Sequence, residues 1–180
     1  MRVLLVQAYL GRHGVADPLV FPLGLACVAT ALEAAGHEPR IVDPNVADDG
    51  VTCLARAIRE HAPDVVGISL RNLDSTTRRA PVVYHPWLRP ALAVIRREAS
   101  GVPAVLGGPG FSQVPRTVLE RYGYDFGIQA EAEAAFPALL ASLGDPGAVP
   151  GAWWRTEAGE IRSAGAPVLP VSALTGEGVS

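Results

Sequence analysis

Asp64-Val65-Val66-Gly67-Ile68-Ser69-Leu70-Arg71-Asn72 is the stretch on which the fold turns. Its first seven residues form a nearly continuous apolar run that stops abruptly at a guanidinium and an amide. A strand with one wet face would alternate apolar and polar residues. An unbroken run bounded in this way reads as a strand covered on both faces, the habit of parallel sheets. Working outward, four more short β-branched or leucine-rich runs occupy residues 2–7, 38–43, 104–107 and 125–129.

The segments between these runs have helical period. Pro22 is placed as the first residue of a helix that Gly36 ends. A second helix should start at Asp48 or Asp49 and bury Val51, Leu54, Ala55 and Ile58 before Pro63 stops it. Trp87, Leu88, Ala91, Leu92 and Ile95 make a third apolar stripe, Val118, Leu119 and Tyr122 a fourth, and Phe136, Leu139, Leu140 and Leu143 a fifth. Strict alternation of strand and helix predicts an α/β fold: a doubly wound, five-stranded parallel sheet with right-handed crossovers. Past Gly144 the composition shifts to Pro, Gly and Ala. Residues 152–156 and 160–163 read as a small C-terminal β-hairpin, and 163–180 as linker or tail. The expected organisation is one α/β domain over 1–145 and a hairpin with tail over 146–180.

Composition excludes several functions. The apolar fraction is 49% against 18% charged residues, which fits a well-buried globular domain. A net charge of -3 gives no electrostatic reason to bind nucleic acid or an anionic membrane. All 15 basic residues are Arg, so Schiff-base chemistry and the phosphate-binding lysine of Walker loops are absent together. Cys27 and Cys53 form no Cys-x-x-Cys pair and cannot alone build a zinc site or an iron–sulfur cluster; both are expected to be buried free thiols. The most apolar stretch, 15–35, contains Asp17, Pro18, Pro22 and Glu33 and is not a membrane span. The chain opens on a strand-like run without a leader pattern, so the expected location is cytoplasmic.

In open α/β sheets ligands bind beyond the carboxyl ends of the strands. That rule selects residues 8–25, 69–77, 107–111 and 129–133. The first connection runs about fourteen residues before Pro22, well beyond the usual ~2–6, and holds His13, whose bland reading is an inert surface histidine. In the second, Ser69, Arg71 and Asn72 offer donors; alternatively Asp74 or Ser75 caps a helix and Arg71 pairs with a carboxylate. Gly107-Gly108-Pro109-Gly110 permits close approach of a ligand to the backbone, or is simply a tight turn. Glu131 and Glu133 suit a helix N-terminus.

Together these segments resemble the N-terminal cobalamin-binding domain of cobalamin-dependent radical S-adenosylmethionine enzymes. The stretches that carry the resemblance are Pro22-Leu23-Gly24-Leu25-Ala26, Leu32-Glu33-Ala34-Ala35-Gly36-His37, Val66-Gly67-Ile68-Ser69-Leu70-Arg71-Asn72, Val105-Leu106-Gly107-Gly108-Pro109-Gly110-Phe111-Ser112, Tyr124-Asp125-Phe126-Gly127-Ile128 and Glu131-Ala132-Glu133. The resemblance implies a Rossmann- or flavodoxin-like fold with the corrin over the carboxyl edge. Ala8, Tyr9, Leu10 and Leu23 would contact it from the long first loop, and Ser69, Leu70, Arg71 and Asn72 from the end of the third strand. The dimethylbenzimidazole tail would run into the sheet beside Ser69 and the backbone of Gly107 and Gly108, followed by Pro109, Gly110 and Phe111. Gln129, Ala130 and Glu131 would line the side of the groove.

Two departures shape the expected function. The Asp-x-His-x-x-Gly motif, whose histidine is the lower cobalt ligand of the classical module, is replaced by Gln7-Ala8-Tyr9-Leu10-Gly11-Arg12-His13-Gly14, so cobalt is expected to have no protein ligand below, or only water. The family's Gly-Glu-Gly-Glu reads Ala130-Glu131-Ala132-Glu133, with a methyl at each glycine position. No Cys-x-x-x-Cys-x-x-Cys occurs, so no iron–sulfur cluster and no complete radical enzyme are expected in this chain. The implied function is to hold base-off cobalamin for a radical S-adenosylmethionine partner or domain performing methyl transfer or rearrangement. The alternatives are a scaffold that has lost the cofactor and docks a biosynthetic partner through Trp153 and Trp154, and a small flavodoxin-like enzyme. A signalling receiver domain is excluded by the missing carboxylates and lysine.

Overall fold

The computed structural model describes residues 1–8, 20–75 and 83–165. Five parallel strands, β1 (Arg2–Gln7), β2 (Glu38–Val42), β3 (Val65–Ser69), β4 (Ala104–Gly107) and β5 (Phe126–Ile128), stand in the order β2-β1-β3-β4-β5. Direction along the sheet reverses between β1 and β3, because the chain first steps outward to β2 and then crosses back. The helices are α1 (Leu23–Ala34), α2 (Gly50–His61), α3 (Leu88–Glu98), α4 (Pro109–Gln113), α5 (Pro115–Tyr122) and α6 (Ala132–Ala141).

The two-sided burial read from the apolar runs is realised as two cores. Leu4, Val6, Val66, Ile68 and Leu106 point to the face covered by α2, α3 and α5. Their neighbours Val3, Leu5, Val65, Val105 and Ile128 point to the face covered by α1 and α6. Helix α1 buries Leu25, Val28 and Leu32 at the i, i+3, i+7 spacing of a single stripe. Cys27 lies off that stripe and is exposed, and Cys53 is only partly buried. The expectation of two buried thiols is therefore corrected: an apolar helix still has an outer face, and Cys27 stands on it.

Local chemistry sets the helix ends. Of the two aspartates expected to start α2, Asp49 is the cap, accepting from the backbone N–H groups of Val51 and Thr52 at 3.0 and 3.1 Å. The other end of α2 turns through Ala62, whose φ of 44° lies in the left-handed region that glycine tolerates best. Ala62→Gly should therefore raise stability by about 0.5–1 kcal/mol, the relief of strain exceeding the entropy lost. The check is an increase of about 2 °C in Tm.

The hairpin forms where expected, as β6 (Ala152–Arg155) and β7 (Ile161–Ser163), but it is not a separate appendage. β6 pairs antiparallel with β5, matching Phe126 with Trp154 and Gly127 with Trp153, so one sheet of seven strands replaces the expected five. Left bare, β5 would present an open edge. The hairpin covers it, and Trp153 packs on the α2–α3–α5 core. Helix α4 is a second addition: the glycine-rich turn after β4 passes directly into a helical turn with Pro109 at its start. No helix among the described residues is long and apolar enough to cross a membrane.

Candidate functional site

The point where strand order reverses puts the carboxyl ends of β1 and β3 side by side, and a cleft opens there on the α1–α6 face. Its floor is the sheet, with α1 along one side and α6 along the other. The register explains why the floor is hollow. At the carboxyl edge Gln7, Ser69 and Gly107 lie abreast on β1, β3 and β4. Two residues deeper the row is Leu5, Gly67 and Val105. With side chains alternating between faces, β3 and β4 thus present only Ser69 and Gly107 in the outermost row of the cleft. The cleft encloses about 740 Å³ of empty space, part of it open to solvent.

Its lining is layered. Ser69, Gly107, Gly108, Pro109, Ala130, Glu131 and Glu133 surround the mouth, while Leu5, Leu25, Val28, Val105 and Phe136 form the walls within. A Cβ on Gly67 would lie 2.8 Å from the Phe136 ring, so that glycine lets the ring settle on the sheet and close the inner wall. A Cβ on Gly107 would meet nothing closer than the Ile128 carbonyl at 3.8 Å, which leaves space above this residue.

The other glycines of the same turn serve the fold. Gly108 has a φ of 93°, and a Cβ there would come within 2.7 Å of the Leu70 carbonyl and 2.8 Å of the Ser69 hydroxyl. Gly110 presses on Asn72 and Leu70 and donates its N–H to the Leu70 carbonyl at 2.9 Å. Leu70 and Phe111 are fully buried in the core on the opposite side of the sheet, Phe111 with its ring against Gly127. Both lie outside the cleft, where the sequence had set them as cofactor contacts.

Gln129 is likewise committed to the protein. Its Nε2 donates to the Ser112 carbonyl at 3.2 Å, and its Oε1 accepts from Trp153 Nε1 at 3.1 Å. Ser112 Oγ donates to the Gly108 carbonyl and accepts from the Ala130 N–H at 2.9 Å. This chain of bonds ties hairpin, α4 and the start of α6 together at the cleft mouth. It also holds Ala130 at a φ of 70°, the conformation a glycine would supply. Ser112→Ala should cost about 1–2 kcal/mol and speed hydrogen exchange at the Ala130 amide. Trp153 receives Arg116 over its ring and is partly buried, so it seals the hairpin to the domain.

Other expected contacts are distributed around the edge. Ala8 is buried; its N–H donates to the Ser69 carbonyl, and its own carbonyl accepts from Asn45 Nδ2. It borders a small apolar space on the opposite face of the sheet. Leu23 stands 67% exposed at the start of α1. Arg71 and Asn72 are exposed, and Arg71 pairs with no carboxylate among the described residues. Helix α3 begins at Leu88 after a short 3-10 turn, and Asp74 forms an isolated bridge with Val83; the residues that Asp74 or Ser75 would cap, from 76 on, lie outside the described residues. Glu131 occupies the N-cap position of α6 without a side-chain capping bond, leaving its carboxylate at the mouth. Tyr9, Leu10 and His13 lie outside the described residues.

Relatives share this fold. The chain superposes on TsrM from Kitasatospora setae, a radical S-adenosylmethionine methyltransferase solved with cobalamin and a 4Fe-4S cluster. The TM-score is 0.80 at 30% identity, over 94% of this chain and 30% of that one. OxsB, a cobalamin-dependent S-adenosylmethionine radical enzyme solved with aqua-cobalamin and S-adenosylmethionine, matches in fold. Its TM-score is 0.69 at 18% identity, over 93% of this chain and 22% of that one. Tryptophan 2-C-methyltransferase of Streptomyces laurentii is 28% identical over 129 residues, 71% of this chain. The chain spans only 21% of that methyltransferase. Residues 12–140 match the B12 binding domain, and the chain belongs to that family.

Proposed function

We propose that this domain binds cobalamin base-off, with the nucleotide tail in the cleft between α1 and α6 and the corrin over the carboxyl edge. It would hold the cofactor for a radical S-adenosylmethionine domain or partner carrying out methyl transfer or rearrangement. The observation that carries the reading is the open carboxyl edge: the small residues Ser69 and Gly107 leave space over the ends of β3 and β4, beside the point where strand order reverses. Ala130 and Ala132 both border the cleft, yet it stays open to solvent, with space above Gly107 that a Cβ would not fill. The residues present therefore fit the group.

Bound cobalamin would supply a cobalt centre that can carry a methyl group. The chain's own part is positioning. The inner walls would exclude water from the tail, Ser69 offers a hydroxyl at the mouth, and Arg71 and Asn72, exposed just beyond β3, would offer partners to polar groups of the corrin's rim. None of the histidines among the described residues, His37, His61 and His85, borders the cleft. With the Asp-x-His-x-x-Gly motif replaced after β1, the expected spectrum is base-off without a histidine ligand.

The test is an ultraviolet–visible titration of the protein with hydroxocobalamin and with methylcobalamin, followed by removal of free corrinoid. Stoichiometric retention with a base-off spectrum is expected. A protein that retains neither corrinoid would instead be a cofactor-free scaffold.

A further inference from the structure

We infer that the cleft selects the base of the corrinoid's tail, accepting an alkylated benzimidazole and discriminating against a purine. This rests on the reading that the tail enters the cleft, and adds to it which tail the cleft takes.

The argument comes from how polarity changes with depth. The polar side chains of the lining are Ser69, Glu131 and Glu133. Ser69 sits in the outermost row of β3, and the two glutamates sit at the start of α6, so all three belong to the mouth. Two residues deeper, about 6–7 Å along the strands, Leu5, Gly67 and Val105 form the floor. Leu25 and Val28 from α1 and Phe136 from α6 close the sides. The floor's backbone amides and carbonyls are spent in the parallel ladders β1–β3 and β3–β4. Among the described residues the inner cleft therefore offers no side-chain hydrogen bond to anything that enters it.

A purine base has ring nitrogens and, in adenine, an exocyclic amine along the edge that would be pushed inward. Buried against Leu5, Val28 and Phe136 those groups would lose water and gain no partner, which is the costly case for a polar group. The benzo edge of a dimethylbenzimidazole carries only C–H and methyl groups, which suit such walls. Rejection of a polar isostere by an apolar pocket is modest, so the expected preference is roughly tenfold to a hundredfold in affinity.

Three methyl-corrinoids distinguish the outcomes when titrated against the full chain: methylcobalamin, its adenine-tailed counterpart, and tail-less methylcobinamide. Each affinity is corrected for the fraction of free ligand whose base already stands off cobalt, since that fraction scales apparent affinity. Methylcobalamin is expected to bind at least about tenfold more tightly than the adenine-tailed form, with cobinamide weaker than methylcobalamin. Equal affinity for the two tailed ligands, both above cobinamide, overturns the selectivity and leaves the cleft as the tail's site. Cobinamide binding as tightly as methylcobalamin overturns the inference by showing that the tail contributes nothing, while corrin binding stands. Binding of none of the three removes the proposed function itself, and this inference with it.

Discussion

Gly107→Leu should weaken corrinoid binding by roughly five- to 150-fold while leaving the fold intact. Gly107 ends β4 in extended backbone, not among the glycines of positive φ, so a side chain is conformationally allowed. Its Cβ would point into space, the nearest atom being a carbonyl at 3.8 Å, and the rest of a leucine must then extend into the cleft. A ligand that shares this volume has to displace or compress the new side chain. Overpacking costs about 1–3 kcal/mol, which corresponds to roughly five- to 150-fold in affinity. Far-UV circular dichroism and Tm should match the parent, because no core contact is disturbed. Unchanged retention of methylcobalamin by a folded Gly107→Leu variant would mean that the tail does not lie over β4. The companion Gly108→Ala should behave oppositely, losing stability, since its Cβ collides with the backbone of the β3 end and its φ of 93° is hostile to alanine.

That contrast shows what was legible in the sequence. Adjacent glycines after a strand look alike as letters, and Gly107-Gly108-Pro109-Gly110 suits either the close approach of a ligand or a tight turn. Strand alternation turns Gly107 toward the cleft, whereas Gly108 and Gly110 face the neighbouring loop at Leu70–Asn72, and that direction depends on how two separate connections pack. The strands themselves were readable to within a residue or two because an apolar run covered on both faces has few alternatives. The mouth was readable for a related reason: Ser69, Gly107, Gly108, Pro109, Ala130 and Glu131 all fall where an apolar run ends, and the carboxyl-edge rule points there. The inner walls were not. Leu5, Val28, Val105 and Phe136 have the periodicity of ordinary core residues, and nothing in the sequence distinguishes an apolar side chain that packs on protein from one that borders empty space. Gly67 did carry a signal, an isolated glycine inside a β-branched run, which marks a close approach; the partner is Phe136. The hairpin's place on β5 was hidden as well, since pairing with a distant edge leaves no local mark.

The second large effect lies beneath the site. Gly127→Ala is expected to destabilise the domain by about 3 kcal/mol, at the upper end of the cost of overpacking, with a fall in Tm of about 6–12 °C. Gly127 sits in the middle of β5, hydrogen-bonded between β4 and β6, and its Cα faces the end of the Phe111 ring. A methyl there would collide with Phe111 Cζ and stand 2.8 Å from Cε1, inside any allowed contact. The ring cannot swing into solvent, because Phe111 is wholly buried in the α2–α3–α5 core, and the strand cannot recede without breaking ladders on both sides. Shortening the partner should relieve the clash. Phe111→Leu alone should cost about 1–2 kcal/mol as lost packing, but Gly127→Ala/Phe111→Leu should be less damaged than the sum of the two by about 1–2 kcal/mol, the coupling expected of residues in direct contact. Strict additivity in chemical denaturation would show that the ring does not rest on Gly127. The same variants separate core from cofactor site: with Phe111 on the far side of the sheet from the cleft, Phe111→Leu should retain methylcobalamin with the parent's affinity whenever it is folded. A loss of affinity at full foldedness would return Phe111 to the set of cofactor contacts and place the tail on the opposite face of β4 and β5.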